Sequence, residues 1–289
     1  MAFVTRFAPS PTGPLHLGHA YSAMLAQNLA RQNDGQFLLR IEDIDRDRSK
    51  PEWERQIYDD LDWLGLTWDT PVLRQSDRLE THANTLKSLW DLGFLYPCTC
   101  SRRDILDAAS APQEGVQYGP DGLIYPGTCR PPSSQVVPPA EMPDGVALRL
   151  NMSKVVVHLR DRPAGTALTF HDDIAGTITT TAEQVAANVG DIVLSRKDFL
   201  GSYHLSVVLD DAAQNITHVV RGQDLFEATQ IHVLLQALLD LPTPRYHHHK
   251  LIRDDAGKRL AKRDDARAIA KYRADGLTPA DIRALVGLS

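Results

Sequence analysis

The stretch Arg6-Phe7-Ala8-Pro9-Ser10-Pro11-Thr12-Gly13-Pro14-Leu15-His16-Leu17-Gly18-His19 constrains this chain more than any other. The apolar run from Phe3 to Phe7 reads as a short buried strand. A Pro/Ser/Gly turn follows, and helical apolar spacing then runs from Leu17 to Gln32. Strand, turn and helix in that order predict an α/β unit. The free N–H groups of a helix entrance bind phosphate well. Paired imidazoles there can donate to charge that grows during a reaction.

The rest of the chain extends that unit. Asn33-Asp34-Gly35 is a turn, and Phe37 to Ile41 a second buried strand that ends in Glu42-Asp43-Ile44-Asp45. Carboxylates just past a parallel strand lie at the crevice where open α/β sheets bind ligands. Pro51 opens a helix to Gly65, with Ser49 as its cap and Trp53, Ile57, Leu61 and Leu64 inward. Asp77 to Gly93 is another amphipathic helix. Eight of the 18 prolines then fall between Pro112 and Pro143, and periodicity is lost. This predicts an irregular insertion, with a capped short helix at Ser101-Arg102-Arg103-Asp104. Ala147–Leu150 and Val155–Leu159 read as β structure, as do Ile192–Leu194, Leu205–Leu209 and Ile216–Val220. Asp224 is the expected cap of a helix carrying Ile231, Leu234, Leu235 and Leu238. Tyr246–Ile252 offers one more strand. Helices over Asp264–Ala274 and Ala280–Leu285 close the chain. His247-His248-His249 lies on the last strand. Adjacent side chains there point to opposite faces, so packing near the site is expected before metal binding.

Charge and cysteines narrow the class. The net charge is −6, yet Lys250 to Ser289 holds ten Lys/Arg against six Asp. A local basic surface on an acidic protein suits selective phosphate contact, not indiscriminate binding. The absence of a membrane-length apolar run or a signal pattern predicts a cytoplasmic protein without membrane contact. Three cysteines, Cys98, Cys100 and Cys129, do not suggest a disulfide framework. Their spacing suits a zinc site, but no fourth Cys or His lies between Ala83 and Val157. Tyr125, Tyr118 or water could complete the usual four ligands.

Pro-x-Gly-x-Leu-His-x-Gly-His resembles the HIGH motif of class I aminoacyl-tRNA synthetases, here His16-Leu17-Gly18-His19. Gly257-Lys258-Arg259-Leu260-Ala261-Lys262-Arg263 resembles that class's KMSKS loop, with Lys262 matching and with Arg259 and Ala261 as departures. The resemblance implies ATP binding by His16, Gly18, His19 and Lys262, with His16, His19 and Lys262 catalytic and Mg²⁺ on the phosphates. Arg6 and Arg221, each at the end of a strand, would select a side-chain carboxylate. The opening stretch, Gly201-Ser202-Tyr203-His204 and His218-Val219-Val220-Arg221-Gly222-Gln223-Asp224 are similar to glutamyl-tRNA synthetases. That likeness implies a glutamate pocket of Arg6, Ala8, Ser10, Glu42, Tyr203 and Arg221. It also implies Zn²⁺ on Cys98, Cys100, Tyr125 and Cys129.

Only 26 residues follow Arg263, so the outline resembles the short glutamyl-Q tRNA(Asp) synthetase family. The resemblance implies a Rossmann-type α/β catalytic domain with an irregular zinc-containing insertion and a short helical C-terminal segment. The expected division is 1–95 and 176–250 for the two catalytic halves, 96–175 for the insertion and 251–289 for the loop and last helices. The implied partners are L-glutamate, ATP and tRNA(Asp) carrying queuosine, and the implied state is a monomer. Glutamate would be activated without tRNA and passed to the queuosine base at the wobble position. Two alternatives stay open: a glutamyl-tRNA synthetase fragment charging a tRNA 3′ end, and a synthetase-like binding module without catalysis.

Overall fold

The computed structural model describes residues 2–110, 116–132, 141–252 and 267–288. Strand β1 (Val4–Phe7) leads through the Pro/Gly turn to helix α1 (Leu17–Gln32) and back to β2 (Gln36–Ile41). β1 and β2 are parallel, in register from Val4 against Gln36 to Phe7 against Leu39. α2 (Pro51–Trp63) then leads to β3 (Leu73–Arg74), which adds parallel to β2. β11 (His218–Gly222) and β12 (Arg245–His249) form a second parallel pair. The backbone N–H of Thr217 donates to the Val4 carbonyl at 2.9 Å, which ties the entry of β11 to β1. The carboxyl ends of β1, β2, β11 and β12 therefore share one crevice, the ligand edge of open α/β sheets.

The core divides across the strands because successive side chains face opposite ways. Phe37, Leu39 and Ile41 pack with α1, α2 and α10 (Pro279–Val286), whereas Leu38 packs on the other side. Val219 and Val220 divide in the same way. The second layer holds α3 (Leu79–Asp91), α5 (Met152–Arg160), α6 (Ala182–Val189), α7 (Tyr203–Ala213) and α8 (Thr229–Leu238).

Between the parallel pairs, β4 (Leu95–Cys98), β7 (Ala147–Leu150) and β10 (Val193–Ser195) form an antiparallel sheet in the order β10-β7-β4. α4 (Arg102–Ser110) starts at the expected box: the Ser101 N–H donates to Asp104 and the Asp104 N–H to Ser101 Oγ. A small hairpin, β5 (Tyr118–Gly119) and β6 (Gly122–Leu123), follows. The hairpin of β8 (Ala167–Asp172) and β9 (Gly176–Thr181) joins β12 through β8.

Several sequence expectations need correction. Val155–Leu159 and Leu205–Leu209 are helical, in α5 and α7. Asn151 caps α5 and Ser202 caps α7, each accepting an N–H three residues on. The cap of α2 is Lys50, without a side-chain bond, and not Ser49. Trp53 is only half-buried. The helix expected from Asp77 begins as a 3₁₀ turn, Gln75–Arg78. Asp224 sits in a 3₁₀ turn, Gln223–Leu225, and α8 begins after Ala228. The strand expected over Tyr246–Ile252 is Arg245–His249. Of the helix expected over Asp264–Ala274, residues 264–266 lie outside the described residues, and α9 is Ile269–Ala274.

Candidate active site

A cleft of about 300 Å³ opens at the shared strand ends. Arg6, Ala8, His16, Gly18, His19, Glu42, Tyr203 and Arg221 all line it. Ser10 is exposed and is not part of the lining. Lys262, with the rest of the KMSKS-like run, lies outside the described residues.

The two histidines are fixed by the backbone of the helix they open. His16 is the N-cap of α1, and its Nδ1 accepts the Gly18 N–H at 3.1 Å. His19 Nδ1 accepts the His16 N–H at 3.2 Å. Each Nδ1 is thus an acceptor, which assigns the ring proton to Nε2 in both. The rings lie 3.8 Å apart. The arrangement presents two imidazole N–H groups beside a helix N-terminus, where a phosphate is stabilised.

The arginines are held in different ways. Arg6 donates through Nε and Nη2 to Asp211, at 2.9 and 3.2 Å. Arg40, fully buried behind it, donates through Nη1 to the same carboxylate at 2.6 Å and through Nη2 to Glu42 at 3.2 Å. Burial pushes the Asp211 carboxyl up, but Arg6 and Arg40 outweigh it and hold it at about 2. Burial raises the Glu42 carboxyl above its ordinary value, against the pull of Arg40 and Arg6. Neither Asp211 nor Arg40 was singled out from sequence, and both set the position of residues that were.

Arg221 has no carboxylate among its described partners. Its Nε donates to His248 Nε2 and its Nη1 to His232 Nδ1, both at 3.1 Å. Its Nη2 donates to Thr229 Oγ1 at 2.7 Å and to the Leu225 carbonyl at 3.3 Å. All four acceptors are neutral groups, and one Nη1 N–H remains for the cleft. His248 reaches Asp172 through Nδ1 at 2.7 Å. The three consecutive histidines alternate as a strand requires. His248 faces Arg221, while His247 approaches Asp173 and His249 bonds Ser22 at 2.7 Å on the cleft side.

Away from the cleft, the sulfurs of Cys98, Cys100 and Cys129 lie within 4.8 Å of one another. The Tyr125 hydroxyl is 3.4 Å from Cys98 Sγ and 3.6 Å from Cys100 Sγ, and it accepts the Cys129 N–H at 2.7 Å. Tyr118 is exposed. Three thiols and a phenol converging on one point suit a tetrahedral soft-metal site. Burial raises the Cys129 thiol, but bonds from Tyr125 and the Thr99 backbone bring it down to about 7.

A crevice at parallel strand ends, with paired histidines at the first helix entrance, is the arrangement of a class I synthetase catalytic domain. The family model "tRNA synthetases class I (E and Q), catalytic domain" matches residues 2–288. The glutamyl-Q tRNA(Asp) synthetase of Rhodobacter capsulatus is 60% identical over 285 residues, covering 99% of this chain and 100% of its own. That of Neisseria meningitidis serogroup A is 38% identical, covering 95% of this chain and 85% of its own. The chain belongs to the glutamyl-Q tRNA(Asp) synthetases, a class I synthetase family of ligases. Among solved structures, the glutamate-tRNA synthetase of Elizabethkingia anophelis superposes with a TM-score of 0.74 at 25% identity, over 99% of this chain and 61% of that one. The glutamate tRNA ligase of Elizabethkingia meningosepticum, in complex with its amino acid, gives 0.74 at 26% identity, over 99% of this chain and 60% of that one. The chain thus spans about three fifths of each. No described helix is long and apolar enough to cross a membrane.

Proposed function

We propose that this enzyme activates L-glutamate with ATP to glutamyl-adenylate without tRNA, then transfers the glutamyl group to the queuosine base at the wobble position of tRNA(Asp). The observation that carries the amino-acid choice is Arg221. A buried guanidinium held by neutral acceptors calls for an anionic partner. A glutamate side-chain carboxylate supplies it, whereas a glutamine amide leaves the cation uncompensated and opposes N–H to N–H. Arg6 completes the carboxylate contact, Glu42 takes the α-ammonium, and Ala8 and Tyr203 shape the wall. Ser10, on the exposed side of the turn, is the weakest member of the set.

The substrate α-carboxylate attacks the ATP α-phosphorus in line, and pyrophosphate leaves. The Nε2–H groups of His16 and His19 donate to the phosphoryl oxygens as charge builds on them. Gly18 leaves room for the adenine at the helix entrance. Lys262 neutralises the departing pyrophosphate. Mg²⁺, bound with ATP, supplies further charge neutralisation. The protein's contribution is positioning and fixed electrostatics. Zn²⁺ on Cys98, Cys100, Tyr125 and Cys129 would staple an insertion with little apolar content of its own. The acceptor is a hydroxyl of the queuosine cyclopentene ring, which attacks the mixed anhydride and releases AMP.

Two assays test the reading. Glutamate-dependent exchange of labelled pyrophosphate into ATP is expected with the purified chain and no tRNA; absence of exchange overturns the activation step. Labelled glutamate is expected on tRNA(Asp) carrying queuosine even after its 3′-terminal adenosine has been removed. Label confined to an intact 3′ end, or found on tRNA(Glu), would assign ordinary charging instead.

A further inference from the structure

Three residues outside the cleft lining, Asp121, His204 and His232, form a directed line that ends on Arg221. A guanidinium only donates, so the 3.1 Å contact from Arg221 Nη1 makes His232 Nδ1 an acceptor. A neutral His232 ring then carries its proton on Nε2, which lies 3.1 Å from His204 Nδ1. That contact makes His204 Nδ1 an acceptor in turn, with its proton on Nε2. His204 Nε2 lies 3.1 Å from Asp121 Oδ1, a carboxylate that only accepts. Every polarity along the line agrees, from the cation at one end to the anion at the other. His232 is buried, so water does not offer its ring an alternative partner, and His204 is buried except where it meets the half-exposed Asp121. Burial, with Arg221 next, holds the His232 pKa well below its ordinary value, which keeps the ring neutral.

Asp121 sits in the turn between β5 and β6, far in sequence from the pocket. That hairpin is seated tightly: a Cβ at Gly119 would meet the Asn188 carbonyl oxygen at 2.2 Å. Tyr125, just past β6, forms a β-bridge with Gly190 at the end of α6. The line therefore joins the segment that bears the cysteine cluster to the wall of the cleft.

We propose that His232 and His204, locked in one tautomer by Asp121, are positioning residues that hold Arg221 for a carboxylate and so set amino-acid selectivity. The arrangement compensates the buried guanidinium from a distance and leaves its remaining Nη1 N–H uncovered. A carboxylate in direct contact with Arg221 would cover it. The reversed tautomer of His232 would set an N–H against the guanidinium and turn Arg221 away from the cleft. This inference rests on Arg221 as the contact for the glutamate side chain.

Two measurements test it. Nitrogen-15 spectra of ring-labelled protein should show protonated Nε2 and bare Nδ1 at both His204 and His232. A proton on His232 Nδ1 overturns the proposal. Calorimetric titration with L-glutamate should show about tenfold weaker binding for His232→Leu, and several-fold weaker binding for the half-exposed Asp121→Ala. Nucleotide affinity should stay unchanged in both. His232→Asn, which keeps an acceptor near the Nδ1 position, should recover most of the loss. Arg221→Leu is the control: if it binds glutamate like wild type, or wild type does not bind, the pocket reading itself falls. If Arg221→Leu loses binding while folded His232→Leu and Asp121→Ala keep it, only the relay falls. Should His232→Leu fail to fold, Asp121→Ala and the spectra decide.

Discussion

Asp211 shows how much one unheralded side chain can carry. Its carboxylate accepts from both Arg6 and Arg40 and is nearly inaccessible to solvent. Removing its charge leaves two buried guanidiniums competing for Glu42. Breaking such a buried set by deleting one member costs about 3–5 kcal/mol. Asp211→Asn should therefore lower the unfolding free energy by that amount, seen as a lower urea midpoint at an unchanged slope, and weaken glutamate binding as Arg6 shifts. A loss below about 1 kcal/mol would mean that Glu42 substitutes for it. The histidines predict a different split. In the proposed reaction His19→Ala removes an N–H donor to the phosphoryl group, so kcat for pyrophosphate exchange should drop about 10²- to 10³-fold. The KM for glutamate should hold, because the proposed role of His19 is on the ATP side. The arginines and histidines were legible because their strand-end and helix-entrance positions have known chemistry. Asp211 was not, because a strand reading of the preceding run gave it no partner. On a helix, adjacent residues diverge by about 100°. Asp211 accordingly reaches the arginines, while Asp210 meets Gln75, Arg78 and His82.

At the level of elements, two helices read as strands for different reasons. Leu205–Leu209 lies in a helix covered on all sides, so its apolar run carries no period and a buried strand looks identical. Val155-Val156-Val157 has strand propensity, yet Met152, Val155, Val156 and Leu159 are the buried positions, with helical spacing. Burial on one face outweighed the cost of β-branching, which is only a few tenths of a kcal/mol per residue. By contrast, β1, α1 and β2 were legible because Pro, Gly and Asn-Asp-Gly punctuate them. The cysteine segment lacks such a period, and its order depends on the side chains that meet there. Freshly purified wild type should contain about one zinc per chain, with Cys98→Ser losing the metal and melting earlier. The thiol cluster lies away from the cleft, so the same variant tests the link between the two: glutamate affinity should fall along with the metal. Wild type without zinc would leave the cluster as packed thiols.

At the scale of the whole molecule, buried ionisable groups around one cleft set the response to acid. Burial, then Arg221, brings His248 down to about 4, well below the value near 6.5 of an unfolded histidine. Between those values the unfolded chain binds a proton that the native state refuses. Stability therefore rises with pH across that window, and is lost as pH falls from about 6.5 toward 4. The shift corresponds to roughly 3 kcal/mol from this site, and His232 acts in the same direction. Asp211 continues the trend lower down. Its unfolded carboxyl titrates near 3.9 and its native one at about 2, so its contribution disappears between those values. Glu42 has the opposite sign, because burial raises its native value and protonating it relieves a cost of folding. In the proposed pocket Glu42 would govern binding more than folding: its proton would remove the partner of the glutamate ammonium before Asp211 titrates. On acidification, glutamate affinity should thus fall while Arg6 and Arg40 are still held. Urea titrations at intervals between pH 7 and pH 4 should show a falling midpoint, and His248→Gln, which has no proton to gain, should flatten the slope. An equal slope in that variant would place the acid sensitivity elsewhere. Calorimetry on Glu42→Gln should show weak glutamate binding at every pH, without the acid-side decline of the wild type.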